Sequence, residues 1–158
     1  MKQKIRIYAI SIALSLGVGV VSALLTRNNM DIYTQVKSPP LSPPPILFPI
    51  VWTILYILMG ISAAMVFTTK TASLKERKDA LSVYGLSLFF NFFWSIIFFN
   101  LRAYFFSFIW LIALLFLIIL TIVRYAKINK VATYLQIPYA LWVTFAGYLN
   151  AGIWLLNR

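Results

Sequence analysis

The side chains able to do chemistry in this 158-residue chain are aromatic, amide and hydroxyl groups gathered in three stretches. The first is Lys37-Ser-Pro-Pro-Leu-Ser-Pro-Pro-Pro45 followed by Phe48-Pro49 and, further on, Trp52 and Tyr56. Trp52 and Tyr56 stand four apart, so on a helix they share one face. The second stretch places Asn91, Trp94 and Ser95 at i, i+3 and i+4, which brings an amide, an indole and a hydroxyl together. The third runs from Pro138 to Asn150, with Tyr139, Trp142, Phe145, Ala146, Leu149 and Asn150 along one stripe and Ala146 leaving a small gap between larger rings. Such groups suit recognition of a flat apolar ligand with a few polar atoms, by stacking on rings and by neutral hydrogen bonds. The plainer use of the same residues is interfacial belts and core packing. Trp94 and Trp142 fall in mid-span, where belts do not account for them. Asn91 in hydrocarbon must find a partner, either another helix or a ligand.

The chemistry that is absent narrows the choice. The chain has no Cys and no His, and its only acids are Asp31, Glu76 and Asp79. Thiolate nucleophiles, zinc and iron–sulfur sites, and the usual general base are excluded. No metal site and no required cofactor is expected. Apart from Arg102, the apolar stretches carry no ionisable residue, so a proton relay, a voltage sensor and an ion-coupled carboxylate site lack their parts. Binding is favoured over acid–base turnover.

The elements that must position these residues follow from composition. Hydrophobic residues make up 62% and charged residues 11% of the chain, against about 45–50% and about 25% in soluble domains. The medium is therefore a lipid bilayer. Charge-free intervals at 7–26, 38–69, 80–101, 103–123 and 131–157 each approach or exceed the roughly 20 residues needed to cross hydrocarbon. They predict an all-α integral membrane protein: a single domain, residues 1–158, of five transmembrane helices near 5–25, 45–69, 80–101, 103–124 and 132–156. The apolar runs are continuous, which excludes the alternation of a barrel. Asn100, Leu101 and Arg102 leave room only for a tight hairpin between the third and fourth helices. The basic start of the chain, its apolar run and Val21-Ser22-Ala23 also fit a cleavable signal peptide, which would leave four helices.

The net charge of +11 does not indicate nucleic-acid binding, because the 14 Lys and Arg lie in short groups between apolar stretches. Lys2, Lys4, Arg6, Lys70, Lys75, Arg77, Lys78, Arg124, Lys127 and Lys130 fall on one side of a five-span topology. Arg27, Lys37, Arg102 and Arg158 fall on the other. This bias places the N-terminus in the cytoplasm, and the C-terminus and the 26–44 loop outside. Small residues recur four apart at Ser11, Ser15, Gly19 and Ala23, and at Gly60 and Ala64, spacing that allows close helix approach; internal packing is favoured over a dimer seam.

The three stretches, in this order across five helices, resemble the TspO/MBR family of tryptophan-rich sensory proteins, whose eukaryotic members are the translocator protein or peripheral benzodiazepine receptor. The resemblance covers essentially the whole chain. It rests on the paired prolines running into Phe48-Pro49, Val51-Trp52 and Leu55-Tyr56, on Asn91, Trp94-Ser95 and Phe98-Phe99, and on Pro138-Tyr139, Trp142, Phe145-Ala146 and Leu149-Asn150. It implies a five-helix bundle in a bacterial cell membrane, with a pocket near the 26–44 loop that takes porphyrins or haem-type tetrapyrroles, sterol-like lipids and synthetic ligands. By the same resemblance Trp52, Tyr56, Asn91, Trp94, Ser95, Trp142, Phe145 and Ala146 line the pocket, and Tyr33 and Pro43 form its lid. A homodimer is implied as well, as is an alternative activity, light- and oxygen-dependent porphyrin degradation at the same pocket. Two departures stand out. Many members carry an acid inside the fourth helix, where this chain has Phe108-Ile109-Trp110-Leu111. The sterol pattern near the C-terminus also lacks its basic residue, since only Arg158 follows Tyr148. Specific sterol binding is not expected.

Overall fold

A computed structural model describes residues 1–158 as helices joined by short connections, with no strands. Five helices are long and apolar enough to cross a membrane: α1 (Lys2–Thr26), α2 (Leu47–Thr68), α3 (Leu74–Ser95), α4 (Tyr104–Ala126) and α5 (Lys130–Leu156). The expected all-α bundle of five spans is thus present, with ends that shift by a few residues.

The largest shift is at α3, which begins at Leu74 rather than near residue 80. Ser73 and Glu76 form a capping box: Glu76 N–H donates to Ser73 Oγ at 3.2 Å, and Ser73 N–H donates to Glu76 Oε2 at 2.8 Å. Two orphan N–H groups are satisfied by that exchange, so the helix starts ahead of its apolar segment. Charged residues from Lys75 to Asp79 mark where hydrocarbon ends, not where helix ends. Asn129 caps α5 in a similar way, its Oδ1 accepting from Ala132 N–H at 3.1 Å. Ahead of α2 the prolines disfavour helix in the residues before them, the chain turns at Pro45 and Ile46 with Leu47 N–H donating to Pro44 O at 2.9 Å, and Pro49 sits in the first helical turn, where its missing N–H costs nothing.

At its far end α3 widens into a π-turn, Ile96–Asn100. Leu101 N–H then returns to Ile96 O at 3.1 Å, and Arg102 adopts φ 51° to reverse the chain into α4. This is the tight hairpin the spacing demands. Around the bundle α1 packs on α2, α2 on α5, α5 on α4, α4 on α3, and α3 back on α1, with a further α2–α3 contact across the middle.

The small residues of α1 and α2 are used inside this ring. A Cβ at Gly60 would lie 2.5 Å from the Ile12 backbone Cα, and Ser11 Oγ donates to Gly60 O at 2.7 Å. Gly19 lies against the ring of Tyr56. Backbones approach this closely only where no side chain intervenes.

Candidate functional site

The long α1–α2 connection folds back over one end of the bundle. It holds two helical turns, Arg27–Asn29 and Ile32–Gln35, and Ile32 is fully buried as its anchor. Its start is pinned to the hairpin, where Asn29 Nδ2 donates to Asn100 Oδ1 at 2.8 Å and Asn100 Nδ2 donates to Leu25 O at 3.0 Å. Its later part is clamped to the end of α5. Lys37 N–H donates to Asn157 Oδ1 and Asn157 Nδ2 to Lys37 O, both at 2.9 Å, while Tyr148 OH donates to Pro40 O at 2.7 Å. The strand-like segment between these clamps crosses Gly152, where a Cβ would strike Pro39 at 2.6 Å.

Beneath this connection lies a cavity of about 400 Å³ between α1, α2 and α3. Tyr33, Trp52, Tyr56, Trp94 and Ser95, all expected site residues, line it together with Phe48 and Phe99. No charged side chain is among its walls. The rings are ordered by one another: Tyr33 stacks on Phe48 at 4.9 Å and 10°, and Trp52 stacks on Tyr56 at 5.6 Å. Trp94 stacks on Phe98 at 5.3 Å. The α1 wall contributes Gly19, Ser22 and Thr26. α1 is absent from the site expected from the sequence. Gly19 belongs to the four-residue spacing of small residues that lets α1 approach α2, so that spacing serves both purposes, whereas Ser22 and Thr26 stand outside it.

The remaining expected residues are placed elsewhere. Trp142 and Ala146 meet Tyr33, Phe48, Trp52 and Trp94 around a separate crevice of only about 10 Å³. Phe48 stands between that crevice and the cavity, edge-on to Trp142 at 5.9 Å. The indole N–H of Trp142 is buried without a hydrogen-bond partner. Phe145 lies on the outer side, in a groove between α2 and α5. Pro43 is half-buried in the connection and lines neither the cavity nor the crevice.

Asn91 is 1% exposed and lines neither space. Tyr56 OH donates to its Oδ1 at 2.9 Å, and its Nδ2 donates to Tyr139 OH at 2.7 Å. Of its two available roles it takes that of glue, tying α2, α3 and α5. A second polar node ties α3, α4 and α5. Trp94 Nε1 donates to Asn150 Oδ1 at 3.1 Å, Ser107 Oγ donates to the same oxygen at 3.0 Å, and Asn150 Nδ2 donates to Tyr104 O at 2.8 Å. In a helix without an acid, the Ser107 hydroxyl and the Tyr104 carbonyl are what α4 brings to this node. These nodes fix Tyr56 of α2 and Trp94 of α3, two of the rings that line the cavity.

Fold and site together define a multi-pass integral membrane protein whose cavity, roofed by the connection between its first two helices, is aromatic and uncharged. The chain belongs to the TspO/MBR family, whose model matches residues 11–155. Over 158 residues it is 35% identical to the tryptophan-rich protein TspO of Chlorobaculum tepidum, covering 99% of both chains. It is 34% identical over 148 residues to that of Archaeoglobus fulgidus, covering 93% of this chain and 94% of the other. The translocator protein of Bos taurus is 29% identical over 145 residues, covering 91% of this chain and 85% of its own.

Proposed function

We propose that this protein is a membrane sensor or translocator that binds a porphyrin or haem-type tetrapyrrole in the cavity beneath the α1–α2 connection. The carrying observation is the cavity itself: about 400 Å³ walled by Tyr33, Phe48, Trp52, Trp94 and Phe99 with no charge, within the roughly 300–1,000 Å³ of ligand sites. Flat macrocycles stack on such rings, and the neutral walls cost a hydrophobic ligand no desolvated charge. The names of the relatives, a tryptophan-rich sensory protein in Cereibacter sphaeroides and translocator proteins in mammals, support the wider role. Turning Phe48 and Tyr33 aside would join the cavity to the Trp142–Ala146 crevice and lengthen the space for a macrocycle. In a cell membrane, the setting the family resemblance implies, the loop charges favour the N-terminus in the cytoplasm and the roofed cavity outside.

Quenching of tryptophan fluorescence by protoporphyrin tests this reading. Trp52→Ala and Phe99→Ala should each weaken binding by about tenfold, the worth of about 1.4 kcal/mol in lost stacking and burial. Unchanged affinity in both would refute the site. Illumination in air separates the alternative, porphyrin degradation: a binder returns the porphyrin spectrum intact, whereas a new product spectrum would mean turnover.

A further inference from the structure

We propose that the groove between α1, α2 and α3 at the basic end of the bundle binds an acidic phospholipid, with an acyl chain in the groove and the phosphate head group at its mouth. The groove encloses about 450 Å³ and shares no residue with the aromatic cavity. Ile7 and Leu14 of α1, Phe67 of α2, and Leu81 and Leu88 of α3 form its walls, with Gly85 leaving it open. It runs along the helices: Ile7 to Leu14 and Leu81 to Leu88 each span about 10 Å of helix axis. Every hydroxyl in its walls is already bonded within the protein. Ser15 and Tyr84 hydrogen-bond to each other at 2.5 Å, and Ser11 donates to Gly60 O. An occupant therefore meets an almost wholly apolar wall along about 10 Å of the helices.

The chemistry changes at the mouth. Lys4 lies one turn before Ile7 on α1, Arg77 and Lys78 lie one turn before Leu81 on α3, and Lys70 stands in the connection just past the end of α2, so two helices and a connection carry cations at one end of the groove. Arg77 Nη1 donates to Phe67 O at 2.6 Å, which holds the guanidinium at the groove wall, and its Nε is buried without a partner. Of the nearby acids, Glu76 is engaged with Ser73 in the capping box, and Asp79 is the other. A cationic mouth on an apolar groove that faces the bilayer selects an anionic lipid over a zwitterionic one, at about 1 kcal/mol per basic residue.

The test is thermal unfolding of the purified protein titrated with phosphatidylglycerol or with phosphatidylcholine of the same acyl chains. Phosphatidylglycerol should raise Tm at a concentration at least tenfold lower than phosphatidylcholine, and glycerol phosphate should have no effect. Lys70→Gln with Lys78→Gln should raise the half-saturating phosphatidylglycerol concentration by about fivefold per charge removed. Gly85→Leu fills the groove where a Cβ meets nothing within 4 Å, so it should abolish the lipid-dependent shift while leaving protoporphyrin quenching intact. Equal shifts by both lipids, a shift with glycerol phosphate alone, or a full shift retained in Gly85→Leu would overturn the proposal.

Discussion

Replacing Asn91 by Leu removes the amide that joins Tyr56 and Tyr139, at nearly constant volume, from a site that is 1% exposed. Two hydrogen bonds are lost and two phenolic hydroxyls are left facing hydrocarbon. An orphaned buried polar group costs about 1–3 kcal/mol, while hydrogen bonds measured inside membrane proteins average about 0.6 kcal/mol because the unfolded helices re-pair. The expected loss is therefore about 1–4 kcal/mol, read as a shift in the midpoint of detergent-driven unfolding. The sharper expectation concerns recovery. In Tyr56→Phe/Asn91→Leu/Tyr139→Phe no donor or acceptor remains to be orphaned, so the triple variant should regain most of what Asn91→Leu lost. Protoporphyrin quenching should survive in it, because the amide does not face the cavity and the Tyr56 ring persists as Phe. A single variant within about 0.5 kcal/mol of the parent protein, or a triple variant less stable than the single, would refute the network as the tie between α2, α3 and α5.

Three other outcomes follow from particular contacts. Gly60→Ala forces a methyl to within 2.5 Å of the Ile12 Cα and should destabilise by about 1–3 kcal/mol through separation of α1 and α2, whereas Gly85→Ala, in open space, should be neutral or stabilising by up to about 1 kcal/mol in the same unfolding assay. Asn157→Ala deletes both hydrogen bonds to Lys37; stopped-flow quenching should then show faster porphyrin release with little change in Tm. Leu41, 84% exposed, holds φ 66° in the proline turn, so Leu41→Gly should relieve about 1 kcal/mol of backbone strain, measurable as a small rise in Tm.

The fold was legible because lipid leaves a chain few choices. Backbone groups in hydrocarbon must pair within their own helix, so the five charge-free intervals had to be five helices, and the three-residue gap at Asn100–Arg102 had to be a hairpin. The helix ends were less legible. At Ser73 a local capping exchange carried α3 into a charged segment that hydropathy had set aside.

The candidate site divides along the same line. Residue type and spacing alone determined that the groups available inside the bundle would be aromatic and neutral, and that Trp52 with Tyr56, and Trp94 with Ser95, would share faces. All four do line the cavity. Which faces meet is a property of the ring order of helices, set by close packing of whole surfaces and not written into any one helix. That order brought Gly19, Ser22 and Thr26 of α1 into the wall, turned Asn91 inward to two tyrosines, and sent Phe145 to the outer groove. It also set Phe48 between the cavity and Trp142. Helical periodicity fixes which side chains stand together on one helix; only the packed bundle decides whether that shared face looks onto a cavity, a neighbouring helix or the lipid.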